Sequence, residues 1–267
     1  MLGNFPRVPT AELDGLDLHY EERGSGRPML LVAGIPAVAD DWAPLAERLS
    51  ETRRVIAFDN RGSGRSTVTP APYTAALLAD DAVALLDHLG VERADVFGMS
   101  LGGMIAQEIA LRRPERVDRL VLGCTHCGVE HSPRIPRETG RAFALETDDW
   151  AERMRALAPF AFARDADPAF VERFVEKKAR DVQDPEGYRA QIAAALSHDT
   201  WERLPQIDRR TLILTGDDDQ VIPAAGSHVL HERIPDSLLY VVAGAGHLFF
   251  LERPDESLRA IETFAPA

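Results

Sequence analysis

The stretch Ala94-Asp95-Val96-Phe97-Gly98-Met99-Ser100-Leu101-Gly102-Gly103-Met104 decides how this chain is read. Its apolar run ends in Gly98-Met99-Ser100-Leu101-Gly102, a G-x-S-x-G pentapeptide. An amphipathic run from about Leu101 to Arg113 follows and stops at Pro114. The pattern predicts strand, sharp turn, helix. Such a turn crowds its own backbone, so the residues flanking the central one must be small. It holds the Ser100 hydroxyl clear of the strand ends. It also sets the Leu101 N–H at a helix N-terminus, where backbone donors are unpaired and the dipole favours negative charge.

Outward from this motif, short apolar runs alternate with amphipathic ones. Strands are predicted over Ala11–Asp14, Leu16–Arg23, Pro28–Ala33, Arg54–Phe58, Ala94–Phe97, Arg119–Gly123, Thr211–Leu214 and Leu238–Val242. Helices are predicted over Asp40–Leu49, Thr74–Leu89 (capped by Thr74, ended by Gly90), Ala224–Arg233 and Pro254–Phe264. This alternation implies an α/β fold with a mostly parallel eight-stranded sheet and helices on both faces. From Gly128 to Leu204 no strand is evident, only charged helical segments such as Trp150–Phe162 and Ala169–Val182. The expected organisation is a core of residues 1–127 and 205–267 interrupted by a helical insertion over 128–204. Loops at the carboxyl ends of parallel strands are where such sheets bind ligands, so the insertion is a candidate lid. The other reading is a helical layer covering the sheet edge. Phe160, Phe162, Phe170 and Phe174 favour the lid.

A serine hydroxyl needs a base within hydrogen-bond reach. Of eight histidines, His247 follows the last strand in Gly244-Ala245-Gly246-His247 and projects from the carboxyl edge. His126 and His198 are the rivals, while His19, His88, His228 and His231 read as structural or surface residues. The third member is a carboxylate fixing the imidazole tautomer, and Asp217, Asp218 and Asp219 all follow the penultimate strand.

Composition sets outer limits. The chain has 267 residues and is 45% hydrophobic and 27% charged, ordinary for one globular domain. A net charge of -13 would repel a phosphate backbone, so no nucleic-acid partner is expected. The N-terminus lacks a basic region followed by an apolar run, and no apolar stretch is long enough to span a bilayer, so a cytoplasmic protein without a membrane partner is expected. The two cysteines, Cys124 and Cys127, form no disulfide framework. Their C-x-x-C spacing follows a strand-like run rather than opening a helix, so they read as structural thiols and not as a metal or redox site.

The residues also resemble a known family, the α/β-hydrolase superfamily, over nearly the whole chain. The order Ser, Asp, His is the family's. Its G-x-x-D-x-x-x-P pattern is matched by Gly216, Asp219 and Pro223, which selects Asp219. The segment from Gly246 to Asp255 is similar to its histidine motif, with Glu252 and Pro254 downstream. Asp59-Asn60-Arg61-Gly62-Ser63-Gly64-Arg65-Ser66 resembles its D-x-R-G-x-G-x-S loop, a structural element. The resemblance implies an oxyanion hole built from the Leu101 and Ile35 N–H groups. Ala33 stands where a histidine often precedes the glycine, and Pro36 has no N–H, leaving Ile35 as the donor. Within the superfamily the segment Tyr73–Leu122 looks most like small-molecule esterases and lactonases, closest to 3-oxoadipate enol-lactonases and related carboxylesterases.

The expectation is thus a serine hydrolase of a small-molecule carboxylic ester or lactone, with catalytic residues Ser100, Asp219 and His247. The substrate pocket is expected to include Met99, Cys124 and Leu248 beside Ile35, and no metal or organic cofactor is required. The alternatives are an acyltransferase using the same triad, a prolyl-aminopeptidase-like hydrolase, and a non-catalytic ligand-binding member of the fold.

Overall fold

The computed structural model describes residues 9–181 and 183–267. Residues 1–8, which open the stretch read above for a secretory leader, lie outside the described residues. In chain order the elements are β1 (Thr10–Leu13), β2 (Leu16–Arg23), β3 (Arg27–Val32), α1 (Ala43–Leu49), β4 (Arg53–Phe58), α2 (Ala75–His88), β5 (Ala94–Met99), α3 (Leu101–Arg112) and β6 (Val117–Gly123). Then come α4 (Arg137–Phe143), α5 (Trp150–Ala161), α6 (Pro168–Lys178), α7 (Pro185–Ser197), β7 (Thr211–Gly216), α8 (Ala225–Arg233), β8 (Ser237–Val242), α9 (Phe249–Glu252) and α10 (Pro254–Phe264).

The eight strands form one sheet in the order β1-β2-β4-β3-β5-β6-β7-β8. β2 pairs antiparallel with both β1 and β4, and the remaining neighbours pair in parallel. Successive side chains of a strand point to opposite faces, and the core divides accordingly. Leu30 and Val32 of β3 join the cluster beneath α2, α3 and α8. Met29 and Leu31 join the one beneath α1, α9 and α10. Central strands buried on both faces carry no polar alternation, hence the unbroken apolar runs in the sequence. Thr74 caps α2, its hydroxyl accepting from Leu77 N at 3.0 Å. The helix expected over Asp40–Leu49 instead opens as a 3-10 turn over Ala39–Trp42 before α1 begins. Pro44 lies in the first turn of α1, where its missing N–H forfeits no helical hydrogen bond.

Register sets where the site lies. Val32 is opposite Gly98, Met99 opposite Gly123, Gly123 opposite Leu214, and Gly216 opposite Val242. The chain therefore leaves β3, β5, β6, β7 and β8 along one edge. Helices α4 to α7 are inserted between β6 and β7, with a small apolar cluster of their own around Met154, Leu157, Ala158 and Val175. Among the described residues no helix is long and apolar enough to cross a membrane.

Candidate active site

Ser100 occupies the turn between β5 and α3 with φ 56° and ψ -122°, a conformation that costs a non-glycine residue and persists only where the surroundings enforce it. The enforcement is visible in its neighbours. A Cβ on Gly98 would lie 2.0 Å from Gly102 O, and one on Gly102 would lie 2.0 Å from Val32 O. Glycine is required at both positions because strand and helix backbones touch there. The Ser100 carbonyl accepts from Gly103 N and Thr125 Oγ1, and its N–H donates to Gly123 O, so the turn is tied to α3 and β6.

Asp219 and His247 arrive from the loops after β7 and β8. The imidazole Nδ1–H donates to Asp219 Oδ2 at 2.8 Å. The other carboxylate oxygen, Oδ1, accepts from Val221 N and Ile222 N, each at 2.8 Å. Both side chains are buried. Burial drives the imidazole toward its neutral form, but the adjacent Asp219 carboxylate overrides this and holds His247 well above the ordinary histidine range. Ser100 and His247 line the same cavity, although the serine hydroxyl makes no hydrogen bond to the imidazole. Nε2 lies 3.9 Å from the Cys124 thiol. Such contacts commonly close only when substrate is bound.

The other carboxylates after β7 are engaged elsewhere. Asp217 accepts from Gly244 N and Asp218 accepts from Arg164 N. Of the rival histidines, His126 accepts a backbone N–H from Gly128 at Nδ1, and burial pushes it down to about 4. His198 sits beside Thr200 Oγ1, and burial pushes it to about 3. Both are neutral imidazoles held by the helical insertion's entry and exit, which are joined through Gln107 and Thr200.

The Ile35 and Leu101 N–H groups are used by no hydrogen bond among the described residues. The Ile35 loop is held from behind. Asp59 accepts from Ala39 N at 2.7 Å and from Arg65 N at 2.9 Å, and Asn60 Nδ2 donates to Ala33 O at 2.8 Å. Met99 and Leu248 line the cavity with Ile35. Cys124 does not; it is fully buried behind the imidazole, its backbone at a positive φ of 37° and its thiol pushed up by burial. Periodicity does not reveal this, because a residue ending a strand can face either the cavity or the layer beneath it.

Two more residues belong to the site: Glu252, named above only as part of the histidine motif, and Lys178, which the sequence does not single out. Glu252 accepts from Gly246 N at 2.7 Å and Ala163 N at 3.0 Å, tying the His247 loop to the end of α5. Lys178 of α6, 2% exposed, donates to Asp41 Oδ2 at 2.7 Å in the cavity wall. As to metals, ligand atoms of Cys124, Asp219 and His247 lie within 4.8 Å of one another. The Asp219 oxygens are already spent on Nδ1 and two N–H groups, so this trio is committed to orienting the imidazole. His19, Glu21 and Asp40 form a second such group, where Arg65 already supplies the cation at 2.8 Å from Asp40.

A strained serine beside free N–H donors, in a cavity shared with a carboxylate-held imidazole, is the arrangement of acyl-transfer sites. A family model described as the alpha/beta hydrolase fold matches residues 27–254. The chain belongs to the α/β-hydrolase superfamily. Among this hydrolase's relatives is a RutD protein of Caulobacter sp. (strain K31), named for carbamate hydrolysis, 32% identical over 96% of this chain and 98% of its own length. Among solved structures, a hydrolase from Pseudomonas aeruginosa PA01 superposes with a TM-score of 0.87 at 29% identity, covering 99% of this chain and 100% of that one. The enol-lactonase from Burkholderia xenovorans LB400 does so with a TM-score of 0.86 at 26% identity, covering 97% and 100%.

Proposed function

We propose that this hydrolase cleaves a small-molecule carboxylic ester or lactone by a two-stage acyl transfer, with Ser100 as nucleophile, His247 as base and Asp219 as the carboxylate orienting it. The observation that carries the reading is the 2.8 Å bond from Nδ1 to a buried carboxylate, because it leaves Nε2 as the proton acceptor. His247 takes the Ser100 proton as the oxygen attacks the carbonyl, and the Ile35 and Leu101 N–H groups receive the oxyanion. The imidazolium then protonates the leaving alkoxide. Water, deprotonated by the same imidazole, attacks the acyl-enzyme, and Ser100 recovers its proton as the acid departs. Helices α4 to α7, within residues 128–204, act as the lid over this cavity.

The likeness to a RutD protein named for carbamate hydrolysis supports a second reading in which the carbonyl is that of a carbamate, attacked by the same serine. A pH-stat panel of methyl esters, lactones and carbamates on wild type and Ser100→Ala tests both. Turnover of esters or lactones that is lost in Ser100→Ala is expected. Carbamate turnover alone would select the second reading, and turnover unchanged in the variant would reject the serine mechanism.

A further inference from the structure

Two cavities meet at Ser100. The more enclosed one, about 70 Å³, is lined by His247 and Leu248 together with Trp42, Leu157 and Phe250. The other, about 310 Å³, runs out between α4 and α7 past Leu101, Met104, Ile192 and Ala195. Ser100, Ile35, Phe143 and Val221 belong to both walls, so a carbonyl bound at the serine sits at their junction. His247 lines only the enclosed chamber.

This asymmetry assigns the two halves of a substrate. The group that departs must take its proton from His247, so its oxygen has to lie on the side that His247 lines. The acyl arm is left with the cleft. From the proposed serine mechanism and this geometry, we infer that the hydrolase prefers short-alcohol esters of uncharged, extended, apolar carboxylic acids, the acyl chain lying between α4 and α7.

Size and chemistry agree. Taking ~15 Å³ per water molecule, the enclosed chamber holds on the order of five waters, and the cleft several times more. Among the described residues the cleft wall carries no charged side chain. Its polar groups are Ser100 itself and His126, whose Nδ1 is occupied and which is neutral at ordinary pH. At the mouth Leu196 is 62% exposed and Ile135 43% exposed, an apolar rim that a chain longer than the cleft would cover. The enclosed chamber has the opposite character at one point, the buried Asp41–Lys178 pair, and tolerates a polar alcohol better than the cleft would.

The test is kcat/KM by pH-stat for methyl esters from acetate to dodecanoate, on wild type, Ala195→Phe, Leu196→Glu, Leu157→Phe and Ser100→Ala. Wild type should gain up to roughly fourfold per buried methylene over the shorter chains. The octanoate-to-acetate ratio should fall at least tenfold in Ala195→Phe, and also in Leu196→Glu, whose surface position guards against misfolding. Leu157→Phe should instead lower the ratio of butyl acetate to methyl acetate. If the acyl-length ratio responds to Leu157→Phe and to neither cleft variant, the assignment is overturned. Methyl acetate hydrolysis surviving in Ser100→Ala would overturn the underlying mechanism instead, which separates the two failures.

Discussion

Replacing Asp219 by asparagine tests the hydrogen-bond logic of the site without changing its shape. Oδ1 accepts two backbone N–H groups at 2.8 Å and Oδ2 accepts the imidazole Nδ1–H at 2.8 Å. An asparagine keeping its carbonyl on the two N–H groups must turn its NH2 toward Nδ1. That nitrogen then has to accept, the ring proton moves to Nε2, and the base can no longer take the serine proton. Flipping the amide restores the tautomer but sets NH2 against two buried donors, costing about 1–3 kcal/mol for each N–H left unpaired. At the low end of about 2 kcal/mol in total, the competent form is outnumbered roughly thirtyfold. Loss of the carboxylate's stabilisation of the imidazolium adds to this, for an expected fall in kcat of roughly 10⁴-fold.

The pH profile supplies an independent reading. The wild-type acid limb should lie above the ordinary histidine value of 6.5, since Asp219 raises His247, and in Asp219→Asn it should move down. The linkage has a definite sign. A group whose folded pKa is raised stabilises the protein fully below its unfolded value, about 6.5, and that stability fades as pH rises through the raised folded value. The wild-type advantage in Tm over Asp219→Asn should therefore shrink above pH 6.5. A loss of less than tenfold in kcat, with an unmoved acid limb, would refute the reasoning.

Four further substitutions probe the frame around the site. Gly102→Ala should cost about 3 kcal/mol or more in urea unfolding, since the added methyl would meet Val32 O at 2.0 Å. Gly140→Ala, whose methyl meets nothing nearer than Ile135 Cδ1 at 3.6 Å, should be neutral or stabilising by up to ~1 kcal/mol. Lys178→Met should cost about 3 kcal/mol by leaving a buried carboxylate underpaired, and the double variant with Asp41→Asn should recover most of it. Glu252→Gln turns an NH2 toward one of two backbone donors, so it should lower both Tm, by about 1–3 kcal/mol of stability, and kcat. A kcat equal to wild type would show that the His247 loop needs no such tie.

The parts of the site legible in the sequence are those written in short-range pattern. Gly98-x-Ser100-x-Gly102 is readable because strand, turn and helix succeed one another within a dozen residues. Asp219 and His247 each follow an apolar strand, and their pairing then depends only on parallel register. Contacts of the inserted helices are of another kind. The stretch that carries Lys178 reads only as a charged helical segment, yet Lys178 is buried against Asp41, more than a hundred residues earlier. The insertion's phenylalanines look alike in sequence. In the structure Phe162 packs against Phe170 and Phe174, with ring centroids 5.4 and 5.1 Å apart, and of these three only Phe174 reaches the cavity. Amphipathic periodicity shows that a helix has an apolar face; it does not say which neighbour covers it.

The bonds around His247 also bear on how the inserted helices are held. Glu252 spans Gly246 N and Ala163 N, and Leu248 N donates to Ala161 O at 2.8 Å. Gly246 has no room for a side chain, since a Cβ there would lie 2.4 Å from the Phe162 carbonyl carbon. The end of α5 is thus fastened, backbone to backbone, to the loop that carries the imidazole. On the far side α4 is tied by the Thr139 hydroxyl to Gln220 O, next to Asp219. Two of the inserted helices that line the cavity, α4 and α5, are therefore each referenced to one of the two loops that hold the hydrogen-bonded pair. A substrate that pushes on α4 or α5 pushes on the Asp219–His247 bond, so cavity fit and imidazole orientation are set by the same few hydrogen bonds.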